Sequence, residues 1–162
     1  TRIMKTVNIV IAGLGGQGIV KASDILADAA FRAGHDVKKA EVHGMSQRGG
    51  SVNTDIRYGD QVLSPMVPDG AADILLVMEP TQIENNRYRL KPDGLLLTSD
   101  CLGAFEHGSA RTAAVAMLGV LSASLDLAAA AWHDAIRVAL PEQHHAANLA
   151  AFDAGRAYAR RG

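Results

Sequence analysis

The sequence is poor in cysteine, since Cys101 is the one thiol among its 162 residues. A single thiol cannot build a disulfide framework, and it cannot supply four ligands to a zinc ion or an iron–sulfur cluster. The sequence therefore excludes a cysteine zinc site or an iron–sulfur cluster held by this chain alone. It also favours a reducing compartment, and we predict a cytoplasmic protein.

The sequence also lacks a strong charge of either sign and a long hydrophobic run. Its formal net charge is −1, which gives no overall field to attract nucleic acid or an anionic membrane surface. No run approaches the ~18 apolar residues of a membrane-spanning helix, and the first residues show no signal-peptide pattern. With 48% hydrophobic and 20% charged residues, the composition is typical of a globular domain, and we expect neither a nucleic acid nor a membrane as partner.

Apolar stretches along the chain follow the pattern of an α/β domain. A β-branched run that ends at Gly13 predicts a buried strand, and helical spacing of the next apolar residues predicts a helix that stops at Gly34. The predicted strands are 4–12, 35–42, 73–79 and 95–99, with a turn at 91–94, and the predicted helices are 17–33, 80–90 and those that follow Arg111. Asp126 is a candidate N-cap for one C-terminal helix, and Pro141 separates it from the last.

Residues 51–58 alternate between apolar and polar side chains, which predicts a strand with one face in water. A Gly59-Asp60 turn then leads to Val62 and Leu63, which predicts an antiparallel hairpin formed with the residues that follow. We therefore predict a single α/β domain over residues 1–162. It is Rossmann-like, with a mostly parallel sheet, an added antiparallel hairpin and a helical C-terminal third.

The stretch AGLGGQGIVKASD has the G-x-G-x-x-G spacing and lies between a predicted strand and a predicted helix. Free N–H groups at the start of that helix favour a phosphate or another anion. The candidate binding residues in this turn are Gly13, Gly15, Gly16, Gln17 and Gly18. The alternative is that these glycines only shape a close crossover between strand and helix.

A dinucleotide site also needs an acidic residue at the end of the second strand, where it binds the ribose. Glu41 is the candidate, and a strand-end carboxylate in water is an equally good interpretation. Gln17 in the turn and the predicted hairpin both fit a standard dinucleotide domain poorly.

A second glycine loop, SQRGG, follows the second predicted strand. Its candidate binding residues are Ser46, Gln47, Arg48, Gly49 and Gly50. Because loops at the carboxyl ends of neighbouring strands converge on one crevice, we expect this loop to lie beside the GLGGQG turn. Arg48 can then bind a phosphate or a carboxylate through two parallel hydrogen bonds.

Four segments together resemble the gamma subunit, or gamma domain, of the 2-oxoacid:ferredoxin oxidoreductases, including the small-subunit type of the indolepyruvate enzyme. These segments are GLGGQGIVKASDILADAA, EVHGMSQRGGSVNTDIRYGD, LSPMVPDGAADILLVMEP and RTAAVAMLGVLSA. They cover most of the chain. One departure is the short segment DCLGAFEHGSA, where members of the family have more residues, and contacts assigned to that region are therefore in doubt.

The resemblance implies a subunit of an oxidoreductase that decarboxylates a 2-oxoacid and transfers the acyl group to coenzyme A. In the family, thiamine diphosphate with Mg and the iron–sulfur clusters lie in partner subunits or domains, and ferredoxin receives the electrons. The resemblance implies no catalytic residue and no metal in this chain, and a crevice of the two glycine loops that faces coenzyme A or a catalytic partner. A homodimer is compatible with it when the chain is isolated.

Two other functions fit the sequence. One is a nicotinamide-nucleotide-binding domain with Glu41 on the ribose, and the other is a scaffold subunit whose glycine loops only fit a partner. Cys101 could be a nucleophile with His107 as its base, but the interpretation that Cys101 is an incidental small residue is favoured.

Overall fold

The apolar run that ends at Gly13 forms the central strand of a five-stranded sheet. The computed structural model describes residues 5–43 and 50–161. The strands are β1 (Val7–Leu14), β2 (Asp36–His43), β3 (Ser51–Gly59), β4 (Ala72–Val77) and β5 (Leu90–Thr98). The helices are α1 (Ile19–Arg32), α2 (Ile83–Asn86), α3 (Ala113–Ser122), α4 (Ala129–Ala139) and α5 (His145–Arg161), with short 3₁₀ turns between them.

The strands lie in the order β2-β3-β1-β4-β5. Strands β1, β4 and β5 are parallel neighbours, whereas β3 runs antiparallel to both β1 and β2. Four of the five strands therefore point the same way, and β3 is inserted between β1 and β2. Because both faces of the sheet are covered, all residues from Ile9 to Ala12 are fully buried, and β1 reads as a continuous apolar run.

One face of the sheet packs against α1, α3 and α4, and this layer contains the larger hydrophobic core. Ile9 and Ile11 of β1 meet Ile25 and Leu26 of α1 there. The other face carries a smaller core, where Val67 and neighbouring loop residues cover Val10 and Ala12. The sheet is therefore covered by helices on one side and mainly by an irregular segment on the other.

Helices α3 and α5 cross at unusually close range, and two glycines make this possible. A Cβ atom added to Gly119 would lie 2.1 Å from the carbonyl oxygen of Phe152, and one added to Gly155 would lie 2.1 Å from that of Ala116. Backbone therefore meets backbone at this crossing, and neither helix can carry a side chain at the point of contact.

The polar face of β3 is partly covered by protein, with Asp55 fully buried, which contradicts the prediction that this face lies in water. Asp55 is fully buried, and its Oδ2 atom accepts hydrogen bonds from Arg89 Nη2 at 2.7 Å and from the Val67 amide at 3.0 Å. Arg57 donates to Asn8 Oδ1 at 2.8 Å. These groups hold the residue 60–71 segment and the Arg87–Arg89 turn against the sheet, so the alternation of β3 marks a polar interface within the protein.

The predicted hairpin has the wrong partner. In the described part of the chain no strand lies between Gly59 and the start of β4 at Ala72, and β3 pairs instead with the preceding β2. Val62 is buried and held by its amide, which donates to Asp36 Oδ2 at 2.8 Å, while Leu63 points into solvent. The predicted antiparallel addition to the sheet is present, but the residues that precede β3 complete it.

Three smaller predictions also differ from the structure. The predicted helix 80–90 is a 3₁₀ turn, the one-turn helix α2 and a second 3₁₀ turn. The predicted turn at 91–94 lies within β5, where Asp93 has a φ of 64° and the register with β4 shifts. Asp126 does not cap α4, since the N-cap is Ala128. The last helix begins after Pro141 as predicted, and no helix in the described residues is long and apolar enough to cross a membrane.

Candidate functional site

The chain leaves the two central strands in opposite directions. After β1 it passes through α1 to β2 on one side, and after β4 it passes through α2 to β5 on the other. In open α/β sheets, ligands bind in the crevice outside the carboxyl ends of the strands where the connections diverge. Here that crevice lies between the GLGGQG turn and the segment Met78–Pro80. Met78 is tied to the turn because its amide donates to the carbonyl of Ala12 at 2.8 Å.

Gln17 holds the glycine turn together from within. Its Oε1 atom accepts a hydrogen bond from the backbone amide of Leu14 at 2.8 Å, and the backbone amide of Gln17 donates to the Leu14 carbonyl at 3.2 Å. Its Nε2 atom donates to Glu79 Oε1 at 3.1 Å across the crevice. Gln17 therefore links the ends of β1 and β4, and its side chain occupies the inside of the turn.

The positions of the turn require glycine for different structural reasons. A Cβ on Gly13 would lie 2.6 Å from Ile19 Cδ1 and 2.8 Å from Gln17 Oε1, so this position must be bare for both side chains to fold over it. Gly16 and Gly18 have φ angles of 90° and 80°, in the left-handed region that favours glycine. A Cβ added to Gly16 would face open space, whereas one added to Gly18 would lie 3.3 Å from the Cβ atom of Ala114 on α3.

Gly50, the last residue of the SQRGG sequence, contacts the first glycine turn. The amide of Gly15 donates to the carbonyl of Gly50 at 2.9 Å, directly before β3 begins its pairing with β1. Because β3 runs antiparallel to β1, its first residues, and Gly50 directly before them, lie at the carboxyl end of β1. Four predicted binding residues of SQRGG lie outside the described residues, namely Ser46, Gln47, Arg48 and Gly49.

Glu79 is a site residue that the sequence analysis missed. Besides the bond from Gln17, its Oε2 atom accepts from the Thr81 amide at 3.4 Å, and it caps the short turn that begins at Pro80. The signal in the sequence is a carboxylate placed between the apolar β4 and a proline. This carboxylate places negative charge at the centre of the crevice.

An anion is therefore better accommodated at the start of α1 than inside the turn. The amides of Leu14, Gly15 and Gln17 already donate within the protein. The N-cap of α1 is Gly18, which has no side chain to satisfy the first amides of the helix, and its first turn carries no acidic residue. The first amides of α1 therefore have no side-chain cap, and the helix start favours an anion.

An amide pair extends the site along β3. Asn53 aligns with Ala12 in the sheet, and its Nδ2 atom donates to Asn86 Oδ1 at 2.7 Å. Asn86 in turn donates to the carbonyl of Gln82 at 2.8 Å. The strand that follows the second glycine loop is thereby connected to the helical turn that follows Glu79.

The position of Glu41 is unfavourable for a ribose contact. Strand β3 lies between β1 and β2, which moves β2 about 10 Å away from β1 at the usual strand spacing. Glu41 aligns with Thr54, which aligns with Ile11 in the middle of β1, and its carboxylate accepts from Lys39 Nζ at 2.8 Å. Partial burial lowers the pKa of Lys39, but hydrogen bonds to Asp24 and Glu41 outweigh it and raise this pKa, so Lys39 remains charged at neutral pH.

Cys101 and His107 do not form a nucleophile–base pair. The sulfur of Cys101 lies 3.5 Å from Met117 Sδ, and the imidazole of His107 contacts the carbonyl of Leu102 at 3.0 Å. Burial and the neighbouring Asp100 raise the pKa of the Cys101 thiol. Within residues 5–43 and 50–161, no group of three or more His, Cys, Asp or Glu side chains is arranged to hold a metal ion.

Residues 8–102 match the family model of the pyruvate ferredoxin/flavodoxin oxidoreductases. The indolepyruvate oxidoreductase subunit IorB of Pyrococcus horikoshii is 50% identical to the chain over 96 residues. That alignment covers 59% of this chain and 48% of the archaeal subunit. The chain therefore spans about half the length of this curated relative.

Two solved structures share the fold. The gamma subunit of a keto/oxoacid ferredoxin oxidoreductase from Geobacter sulfurreducens aligns with a TM-score of 0.80 at 21% identity, over 97% of this chain and 98% of that subunit. The second structure is the 2-oxoglutarate:ferredoxin oxidoreductase from Magnetococcus marinus, with 2-oxoglutarate, coenzyme A and succinyl-CoA bound. It aligns with a TM-score of 0.83 at 23% identity, over 98% of this chain and 32% of that chain. The same fold thus occurs as a separate subunit and as about one third of a longer chain.

Proposed function

The chain belongs to the pyruvate ferredoxin/flavodoxin oxidoreductase family, and from this premise we propose that it is a non-autonomous, gamma-type subunit of a 2-oxoacid:ferredoxin oxidoreductase. The complex would decarboxylate a 2-oxoacid oxidatively and form an acyl-CoA. Thiamine diphosphate, Mg and the iron–sulfur clusters would belong to partner subunits, and ferredoxin would receive the electrons from them. A protein of this kind would work in the cytoplasm.

The observation that carries this proposal is the contact between the GLGGQG turn and Gly50 at the point where the connections of the sheet diverge. Gly15 and Gly50 are joined by a backbone hydrogen bond there, and Gln17 and Glu79 close the floor of the crevice. The crevice offers backbone and amide groups but, among the described residues, no nucleophile paired with a base. Such a surface suits binding of a ligand or a partner better than catalysis by this chain alone.

The same crevice supports a Rossmann-like description of residues 1–162 as one domain. The divergence of connections between β1 and β4 and the glycine turn before α1 are the two features in favour of it. The inserted β3 distinguishes the domain from a dinucleotide-binding unit and favours coenzyme A or a partner subunit over a nicotinamide nucleotide.

The proposal predicts that the chain is required for the activity of a complex and inactive by itself. Co-expression with subunits that bind thiamine diphosphate and iron–sulfur clusters should give 2-oxoacid-dependent reduction of a viologen dye. Omission of this chain should abolish that activity. A complex of normal activity that assembles without the chain would show that the proposal is wrong.

A second experiment separates coenzyme A binding from a purely scaffolding role. Arg48→Ala should raise the KM for coenzyme A in an intact complex if the second glycine loop faces the coenzyme. Loss of assembly with an unchanged KM in residual complex would instead support scaffolding. Arg137→Ala is the matched control, because Arg137 is exposed on α4 and pairs with Asp134 at 3.2 Å.

A further inference from the structure

A cavity lies at the end of the sheet opposite the crevice. Its volume is about 390 Å³, and it is enclosed by the first residues of β1, β4 and β5, the end of β3 and the loop between α3 and α4. A cavity of this size accommodates a small organic molecule. Because it lies at the amino ends of the parallel strands, it is separate from the glycine turn and from the function proposed for it. The apolar part of its wall consists of Val7, Ile74, Leu95 and Leu125.

The hydroxyl of Tyr58 is a buried polar group that faces this cavity. Tyr58 is 1% exposed and lines the cavity from β3, while its ring lies 5.2 Å from that of His35. Within residues 5–43 and 50–161 the hydroxyl has no hydrogen-bond partner, and its oxygen is not sealed off from the cavity. Since buried hydroxyls are nearly always hydrogen-bonded, this one is suited to a partner that enters from the cavity.

Two carboxylates in the same wall have no cation to balance them. Asp126 lies in the loop after α3, and Asp93 lies where β5 shifts its register against β4. Neither forms an ion pair with any residue that the structure describes. The third carboxylate, Asp73, is satisfied, since it accepts from the Asn8 amide at 2.8 Å and from Lys91 Nζ at 2.7 Å.

The Tyr58 hydroxyl and the carboxylates act on the same space. Burial, followed by the negative charges of Asp126 and Asp73, raises the pKa of Tyr58, so its hydroxyl keeps its proton at neutral pH. A protonated hydroxyl accepts a hydrogen bond from one group while it donates to another. Lys5 also lines the cavity, but its single positive charge leaves one of the two unpaired carboxylates unbalanced. The wall therefore favours a positively charged group that donates hydrogen bonds.

We propose that this cavity binds the ammonium group of a small organic amine through Tyr58, Asp93 and Asp126. An ammonium group has three N–H donors, which matches one phenol oxygen and two carboxylates, while aliphatic carbons of the ligand pack on Ile74 and Leu125. A metal ion fits less well, because no group of three or more His, Cys, Asp or Glu side chains among the described residues is arranged to hold one.

The ammonium group can belong to a simple amine or to an amino acid. An amino acid also carries a carboxylate, which can pair with Lys5 in the same wall. Three probes of matched shape separate these sources. They are leucine, isoamylamine, which lacks the carboxylate of leucine, and isocaproate, which lacks its ammonium group.

The experiment is titration of the full chain with each probe, followed by ligand-observed NMR. Tyr58→Phe and Asp126→Asn should each weaken the binding of isoamylamine about tenfold, the effect of losing one hydrogen bond to a charged group. Asp134→Asn is the matched control, because Asp134 is an exposed carboxylate on α4 outside this cavity. Thermal melting verifies that each variant is folded, and Asp126 is exposed, so its variant retains the test if Tyr58→Phe does not fold.

The three probes decide between the outcomes. Equal binding of isoamylamine and leucine, without binding of isocaproate, supports a site for amines. Tighter binding of leucine that Lys5→Gln abolishes supports the same ammonium site and assigns it to an amino acid. Isocaproate bound as tightly as isoamylamine, no binding of either ammonium probe at millimolar concentration, or binding that both variants leave unchanged overturns the inference. None of these results depends on whether a complex reduces a dye.

Discussion

Gln17 stabilises the glycine turn through both ends of its side-chain amide. The acceptor end satisfies the Leu14 amide at the end of β1, and the donor end reaches Glu79 after β4. A shorter side chain at this position leaves the Leu14 amide without its acceptor and breaks the hydrogen bond that joins the two strand ends. The turn is therefore a preformed surface with its own internal order.

We expect Gln17→Ala to lower the free energy of unfolding by about 1 kcal/mol, because a partly buried amide loses its hydrogen bond. Urea denaturation of the full chain measures this change. Gln61→Ala is the control, since Gln61 is exposed on a loop and should change stability little. Equal stability of the two variants would contradict the role assigned to Gln17.

The thiol of Cys101 should react slowly. Burial raises its pKa above the ordinary value of 9.0, so the fraction present as thiolate at neutral pH is smaller than for a free thiol. We expect alkylation by iodoacetamide at pH 7.5 to be slower for the folded chain than for the same chain in urea. A rate that exceeds the rate in urea would instead identify an activated nucleophile.

At the scale of elements, the packing of α5 on α3 depends on two bare positions. Gly119 and Gly155 face the backbone of the opposite helix, which cannot move away as a flexible side chain would. The helical C-terminal third predicted from the sequence is thus held by a contact between backbones. The helix pattern alone contains no sign of this contact.

Gly119→Ala should destabilise the protein by about 1–3 kcal/mol or more, because the added methyl group overlaps the Phe152 carbonyl. Thermal and urea unfolding measure the loss. Gly103→Ala is a matched control, since no atom lies within 4 Å of a Cβ placed there. A neutral effect of Gly119→Ala would mean that the two helices separate without cost.

The buried ion pair between β3 and the turn before β5 secures the irregular cover of the second face. Asp55 is fully buried and Arg89 is 5% exposed. The backbone amide of Val67 donates a hydrogen bond to Asp55, and its carbonyl accepts one from Arg89. Removal of one charge leaves the other buried without its partner, which is more costly than the loss of an exposed pair. The pair therefore fixes where residues 60–71 lie on the sheet.

We expect Asp55→Asn to lower the free energy of unfolding by about 3 kcal/mol, as measured by urea denaturation. The double variant Asp55→Leu/Arg89→Met should recover part of this loss, because no uncompensated charge remains. Glu84→Gln removes the exposed pair with Arg87 and should have no measurable effect. A loss from Asp55→Asn as small as that from Glu84→Gln would contradict the account.

At the scale of the whole molecule, Asp36 connects the edge strand β2 to the segment that crosses the second face. Its carboxylate accepts from the Val62 amide at 2.8 Å and from Lys38 Nζ at 3.0 Å. These contacts lower its pKa from the ordinary value of 3.8, the Val62 amide most strongly. The contribution of Asp36 to stability is complete above pH 3.8 and is lost as the pH falls through the lower pKa of the folded state.

Asp36→Asn should therefore lower stability at pH 7 and should make little difference at a pH below the pKa of the folded-state carboxyl. The urea midpoint of wild type and variant, followed from pH 7 to pH 2, measures this convergence. Asp134→Asn, on an exposed carboxylate of α4, is the control for a general charge effect. A difference between wild type and Asp36→Asn that stays constant with pH would contradict the assigned ionic role.

Much of the fold and the family follow from local patterns. The apolar runs predict β1 and β4, the glycine after an amphipathic run predicts the end of α1, and the resemblance of the motifs to the oxidoreductase family is confirmed by the match over residues 8–102. The contact of Gly50 with the GLGGQG turn also follows from the positions of both at strand ends. Such features depend on neighbouring residues or on the common direction of parallel strands, and both can be inferred from the sequence.

By itself, the sequence determined that this protein is an α/β domain with a glycine turn before its first helix, because periodicity and glycine spacing are local properties. Only the tertiary structure decided the place of β3 between β1 and β2, the burial of the polar Asp55 face and the bond between Gln17 and Glu79. Each of these depends on residues that are distant in the chain and meet only when the sheet forms. The surroundings of the glycine turn are decided in the same way, since Glu79 comes from the end of β4 and Ala114 comes from α3.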